Sequence, residues 1–137
     1  MLNKLRVLLL VCITAVLAAC GGGGGDETPN FAGNYFETFS LTTNSCNLSI
    51  QNTFTGTDAV AQNGRNINIA SGGYAFTGSV DADNGGFTVN SSAVSGGITT
   101  LATISYRTID AGSKYSINFK LVANGCTAIY TGTATKI

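Results

Sequence analysis

The sequence contains no histidine and no tryptophan in 137 residues. Without histidine, neither a Ser-His-Asp nor a Cys-His nucleophile pair can be assembled, and the commonest zinc ligand is missing. Without tryptophan, the buried ring that centres an immunoglobulin core is missing too. Charge is sparse. From Phe31 onward there are five basic residues (Arg65, Arg107, Lys114, Lys120, Lys136) and five acidic ones (Glu37, Asp58, Asp81, Asp83, Asp110). No basic face can form from so few cations, which argues against nucleic acid as a partner. Beyond the first twenty residues no apolar run approaches the roughly 20 residues of a membrane helix. No segment sustains a 3.6-residue period with caps. A long disordered chain is disfavoured as well, because β-branched and aromatic residues are plentiful.

The pattern that does run through the chain has a period of two. Asn34 to Leu41 sets Tyr35, Phe39 and Leu41 on one face, with Glu37 among them. Cys46 to Phe54 alternates Cys46, Leu48, Ile50 and Phe54 with Asn47, Ser49, Gln51 and Thr53. Arg65 to Ile69, Tyr74 to Val80, Phe87 with Val89, Ile98 to Ile109, Lys114 to Ala123 and Cys126 to Thr133 continue the series. Turn chemistry separates these runs. Asn63-Gly64 and Asn124-Gly125 are hairpin pairs that tolerate positive φ, and Ser71-Gly72-Gly73, Asn84-Gly85-Gly86, Ser95-Gly96-Gly97 and Asp110-Ala111-Gly112 mark longer turns. The sequence therefore predicts an all-β domain, an antiparallel meander of eight or nine short strands. A small closed barrel removes the exposed edges of such a meander. A two-sheet β-sandwich is the alternative.

The first twenty residues differ from everything that follows. Lys4 and Arg6 precede an apolar run from Val7 to Leu17, and small residues then lead to a cysteine. This is the layout of a secretory signal. Its last four residues, Leu17-Ala18-Ala19-Cys20, resemble the lipobox of bacterial lipoproteins. That resemblance implies cleavage after residue 19, lipidation of Cys20 and anchoring in a membrane. In that family an aspartate after the lipidated cysteine retains some proteins at the inner membrane. Gly21 stands there instead, so the resemblance implies the outer membrane of a two-membrane bacterium. Residues 1–19 are thus read as a cleaved signal, 20–30 as a lipidated cysteine with a flexible tether, and 31–137 as one β-domain. The run Gly21 to Gly25 offers no side chain to bury and much backbone freedom. A phosphate-binding glycine loop would need a strand before it and a helix after it.

Export also bears on the cysteines. Cys12 leaves with the leader and Cys20 carries the lipid, so Cys46 and Cys126 remain to form a disulfide in an oxidising compartment. The bridge closes a loop of about 80 residues, worth roughly 4–5 kcal/mol by chain entropy. On this reading Cys46 opens the second strand and Cys126 the last. Their bridging therefore favours a closed barrel over a flat meander. Phe31-Ala32-Gly33-Asn34-Tyr35 resembles the opening motif of lipocalin-like barrels, with tyrosine where lipocalins usually carry tryptophan. The resemblance implies an apolar cavity for a small hydrophobic ligand. A domain this short could instead fill its interior with Tyr, Phe and Ile side chains.

Few residues suggest chemistry. Most carboxylates fall in turns. Asp81 to Gly86 starts like a calcium loop, but Gly85 stands at its fifth position and Ser92 at its twelfth, where glutamate is required. No metal or cofactor site is expected. Glu37 is the one carboxylate recognised in phase with a core face, and Arg65 is in phase with Ile67 and Ile69. Glu37 and Arg65 are therefore the candidate ligand-binding pair, meeting in or at the mouth of the barrel. Solvated strand-end side chains are the commoner fate of such residues, since buried charges are rare. Three functions follow. The leading expectation is a non-catalytic, lipid-anchored envelope protein whose β-domain has a structural or interaction role. The alternative is a module that binds a small apolar ligand in a barrel cavity. The third is a hydrolase using Glu37 and an aspartate, which requires two carboxylates converging in one cleft.

Overall fold

The computed structural model describes residues 27–110 and 112–137. Cys20, the signal segment and the glycine run lie outside the described residues. Eight strands follow one another: β1 (Gly33–Asn44), β2 (Thr53–Asn63), β3 (Asn66–Ser71), β4 (Tyr74–Val80), β5 (Gly86–Ser95), β6 (Ile98–Asp110), β7 (Lys114–Ala123) and β8 (Cys126–Lys136). Each pairs antiparallel with the next, and β8 returns to β1, so the meander closes into a barrel rather than a sandwich. The tight turns use the predicted glycines. Asn124 and Gly125 both take positive φ, as a two-residue hairpin of the favoured hand demands.

One strand lies elsewhere than the sequence suggested. The alternation from Cys46 to Phe54 is not a strand until Thr53, and the second strand continues to Asn63. Residues 46–52 form an irregular connection. The Asn44 side chain fastens it by donating to the Leu48 carbonyl at 2.9 Å and accepting from the Leu48 N–H at 2.9 Å. Cys46 is bonded to Cys126 across 5.5 Å between Cα atoms. Cys46 therefore follows the first strand instead of opening the second. What brings the two cysteines together is the pairing of β1 with β8, where Asn44 lies opposite Ala128.

The alternation sorts side chains by face. Along β1, Tyr35, Glu37 and Phe39 are buried while Asn34, Phe36, Thr38 and Ser40 are exposed. The outward positions of the barrel are mostly Thr, Ser and Asn, such as Thr131, Thr133 and Thr135 on β8. A barrel that spans a bilayer presents the opposite arrangement, an apolar band outward. The inward aromatics stack along the axis. Phe87 lies on Tyr106 at 4.4 Å between ring centroids, Tyr35 meets Tyr115 edge-on at 5.3 Å, and Phe39 lies on Phe54 at 4.6 Å. Such pairs contribute about 0.5–1.5 kcal/mol each beyond area burial.

The two ends differ. At the end where β1 begins, Phe31 is 3% exposed and plugs the barrel, 5.2 Å from the Phe87 ring. Tyr35 Oη donates to the Phe31 carbonyl at 2.6 Å, and the Phe31 N–H donates to Gln62 Oε1 at 2.7 Å. Gly33, two residues after the plug, takes a φ of +148°, a conformation that favours glycine, whereas a Cβ there would displace only the flexible tip of the Lys136 side chain. The opening motif thus seals one end.

The far end is looser. The β4–β5 ladder pairs only Thr77 with Asn90 through Val80 with Phe87. Beyond it Tyr74 to Phe76 and Ser91 to Ser95 diverge, leaving a split in the wall at the end opposite the plug.

Candidate functional site

The split leads into a cavity of about 350 Å³. Tyr74 and Phe76 of β4 form one wall, Ser91 and Ala93 of β5 the opposite one, and Ala102, Phe119 and Leu121 the floor and back. Small residues at positions 91, 93 and 102 create the space. A second recess of about 160 Å³ adjoins it, sharing Tyr74, Phe76 and Phe119. Its lining includes Phe39, Phe54, Ile104 and two carboxyls, Glu37 and Asp58. The barrel is therefore packed at one end and hollow at the other, with acid at the base of the hollow.

Glu37 reaches this place because β1 carries it inward between Tyr35 and Phe39. It is 2% exposed. In the β1–β2 ladder Glu37 lies opposite Gly56 and Tyr35 opposite Asp58, so the two carboxyls are diagonal neighbours on the inner face. Tyr106 Oη of β6 donates a short hydrogen bond to Glu37 Oε1 from across the barrel. Asp58 is 4% exposed. No basic side chain pairs with either carboxyl among the described residues.

Burial disfavours the charged form of Glu37 and is the largest influence on it. The Tyr106 hydrogen bond opposes that shift, while the neighbouring Asp58 carboxyl adds to it. The Glu37 pKa is pushed up to about 7. At neutral pH the group is balanced between neutral and ionised forms. Tyr106 and Tyr35 are both shifted up, chiefly by burial, and remain protonated donors.

The candidate pair of Glu37 and Arg65 does not form. Glu37 is inside, as its phase indicated, but Arg65 precedes β3 and lies exposed at the plugged end. Its guanidinium donates to Asn84 Oδ1 at 2.9 Å, to the Val80 carbonyl at 3.0 Å and to the Asp81 carbonyl at 2.5 Å. A guanidinium satisfied by carbonyls at the barrel end has no reason to enter an apolar interior.

The partner that sequence reasoning missed is Asp58. The sequence pattern hides its strand, because the inward positions of β2 read Phe54, Gly56, Asp58, Val60 and Gln62, a face too polar to register as alternation.

The acidic stretch from Asp81 to Gly86 is a turn at the same plugged end. Arg107 bonds Asp83 at 2.6 Å and lies 3.6 Å from Asp81 Oδ2. The Gly85 N–H and Arg107 hold the Asp83 carboxyl below its ordinary range. Both carboxylates already have a cation, which leaves no calcium cage. Among the described residues no group of three or more His, Cys, Asp or Glu is placed to hold a metal. No protein-family model, curated protein or solved structure matches the chain.

Proposed function

We propose that the chain is a lipid-anchored envelope protein whose barrel binds a small, largely apolar molecule without transforming it. The observation that carries this reading is the apolar cavity of about 350 Å³ behind the β4–β5 split. That volume falls within the range of small-molecule sites, which are largely preformed and apolar with a few placed polar groups. A barrel serving only as a rigid surface element gains nothing from small residues at its inward positions 91, 93 and 102, since empty space sacrifices packing. The binding reading is therefore favoured over a purely structural role.

The hydrolase reading has its two carboxyls in one recess, but their arrangement is unfavourable. Glu37 and Asp58 share the smaller recess, of about 160 Å³, whereas carboxyls that cleave a sugar linkage must flank a bond seated between them. The anchoring part of the proposal rests on the leader and on the resemblance of Leu17-Ala18-Ala19-Cys20 to a lipobox.

Fluorescence titration of the purified protein with N-phenyl-1-naphthylamine, a neutral apolar dye at pH 7, tests the cavity. Saturable one-to-one enhancement is expected, and A93W should abolish it by filling the space. Unsaturable enhancement, or enhancement that A93W leaves intact, would refute the proposal.

A further inference from the structure

We propose that the cavity selects organic cations: an ammonium group seated against Glu37 and Asp58, with its apolar body among the aromatic rings above them. This rests on the cavity-binding reading and names the ligand class.

The argument starts from charge. Asp58 is 4% exposed, lines the recess, and among the described residues accepts no hydrogen bond from a protein donor. Glu37 has Tyr106 as a donor, but a phenol brings no charge. Buried carboxylates are ordinarily paired with a cation or a metal. The basic residues of the domain are elsewhere. Arg65 and Arg107 bind the turn at the plugged end, Lys114 and Lys120 point outward, and Lys136 lies over the Tyr35 ring, 6.0 Å from its centroid. The acidic site thus lacks its counter-charge on the protein side, while a cavity open to solvent leads down to it.

The surroundings choose among cations. Two carboxyls are too few for calcium, which takes six to eight oxygens. Phe54, Phe76 and Phe119 line the recess, and aromatic rings attract an ammonium by the cation–π interaction and suit an apolar body. A primary or secondary amine can donate two hydrogen bonds, one to each carboxyl.

Binding displaces a proton. The groups facing Glu37 from the packed strands are Asp58 on β2 and Tyr106 on β6, with Tyr35 beyond them on its own strand. Of these, Glu37 releases its proton near neutrality as the ammonium arrives.

The test is isothermal titration calorimetry of the intact protein with 2-phenylethylamine, 2-phenylethanol and 3-phenylpropionate. The amine should bind at least tenfold tighter than the alcohol, and the carboxylate should not bind. Repeating the amine titration in buffers of different ionisation enthalpy should show proton release at pH 6 that declines by pH 8. The double variant E37Q/D58N, which keeps shape and hydrogen bonding, should reduce the amine to the affinity of the alcohol. Equal binding of amine and alcohol by the unaltered protein would overturn the inference while leaving the cavity reading intact. Failure of all three probes, together with failure of the neutral dye, would overturn both.

Discussion

Glu37 is held inside the barrel by competing forces whose balance depends on pH. Its ordinary pKa is 4.5, and in the fold it is pushed up to about 7. Between those values the folded protein binds more protons than the unfolded chain, so stability falls as pH rises. Glu37 therefore stabilises the fold fully below about pH 4.5, and that contribution is lost as pH climbs through about 7. That displacement of the Glu37 pKa corresponds to about 3 kcal/mol. Thermal unfolding followed by circular dichroism should show a lower melting temperature at pH 8 than at pH 5. Glu37→Gln mimics the protonated form, because its amide can accept from Tyr106 and donate to Asp58. This variant should flatten the profile between pH 5 and 8 and melt higher than the parent at pH 8. Tyr106→Phe acts oppositely. It removes the hydrogen bond that lowers the Glu37 pKa, so the midpoint of the pH-dependent loss should move upward. A wild-type profile that rose from pH 5 to pH 8 would contradict the assignment of a raised Glu37 pKa.

At the scale of strands, closure depends on places where side chains are absent. Gly132 of β8 faces inward opposite Phe39, and a Cβ there would collide with the Thr38 carbonyl oxygen of β1. Gly78 of β4 has the same relation to the Thr88 carbonyl of β5. Glycine inside a strand marks a bend or a close backbone approach. Because backbone cannot yield as a side-chain tip can, Gly132→Ala should destabilise the barrel by about 2 kcal/mol or more in urea denaturation, within the range for overpacking. The disulfide acts on the same seam. It fastens the connection after β1 to the start of β8, and its two cysteines are separated by 80 positions. Replacing both with serine should cost about 4–5 kcal/mol by chain entropy, read from the shift in denaturation midpoint. Most of this architecture was legible in the sequence. β1 and β3 to β8 announced themselves because the barrel interior is apolar at their inward positions, and glycine pairs marked the turns. β2 was not legible, for a physical reason. Its inward face carries Gly56, which leaves space, and Asp58, which carries charge, and both erase the hydrophobic period. Meanwhile Leu48 and Ile50 mimic a strand in a segment held by Asn44 and the disulfide. Sequence and structure diverge where the strand was shaped for the cavity rather than for packing.

Over the whole molecule, the plug and the cavity mouth lie at opposite ends, and the chain enters at the plug. Phe31 is seated between Phe87 and Tyr115, and the Gln62 side chain donates to the Pro29 carbonyl at 2.8 Å, so order extends to the last few residues before the barrel. The mouth, by contrast, is bordered by Tyr74, which is 57% exposed. If Cys20 carries the anchor, the tether joins the end farthest from the mouth. On that condition only residues 21–30 separate the anchor from the plug, roughly 35 Å even when fully extended, so the plugged end would be the one held nearest the membrane. Two consequences can be separated by experiment. Cys20→Ser should move the protein from the membrane to the soluble fraction on cell fractionation, since on the proposed reading one residue would carry the acyl chains and the outward positions of the barrel are mostly polar. The cavity should be unaffected, so the soluble variant should bind N-phenyl-1-naphthylamine as the parent does. Retention of Cys20→Ser in the membrane would refute anchoring through that residue. Loss of dye binding in the released protein would refute the independence of anchor and barrel that follows from placing them at opposite ends.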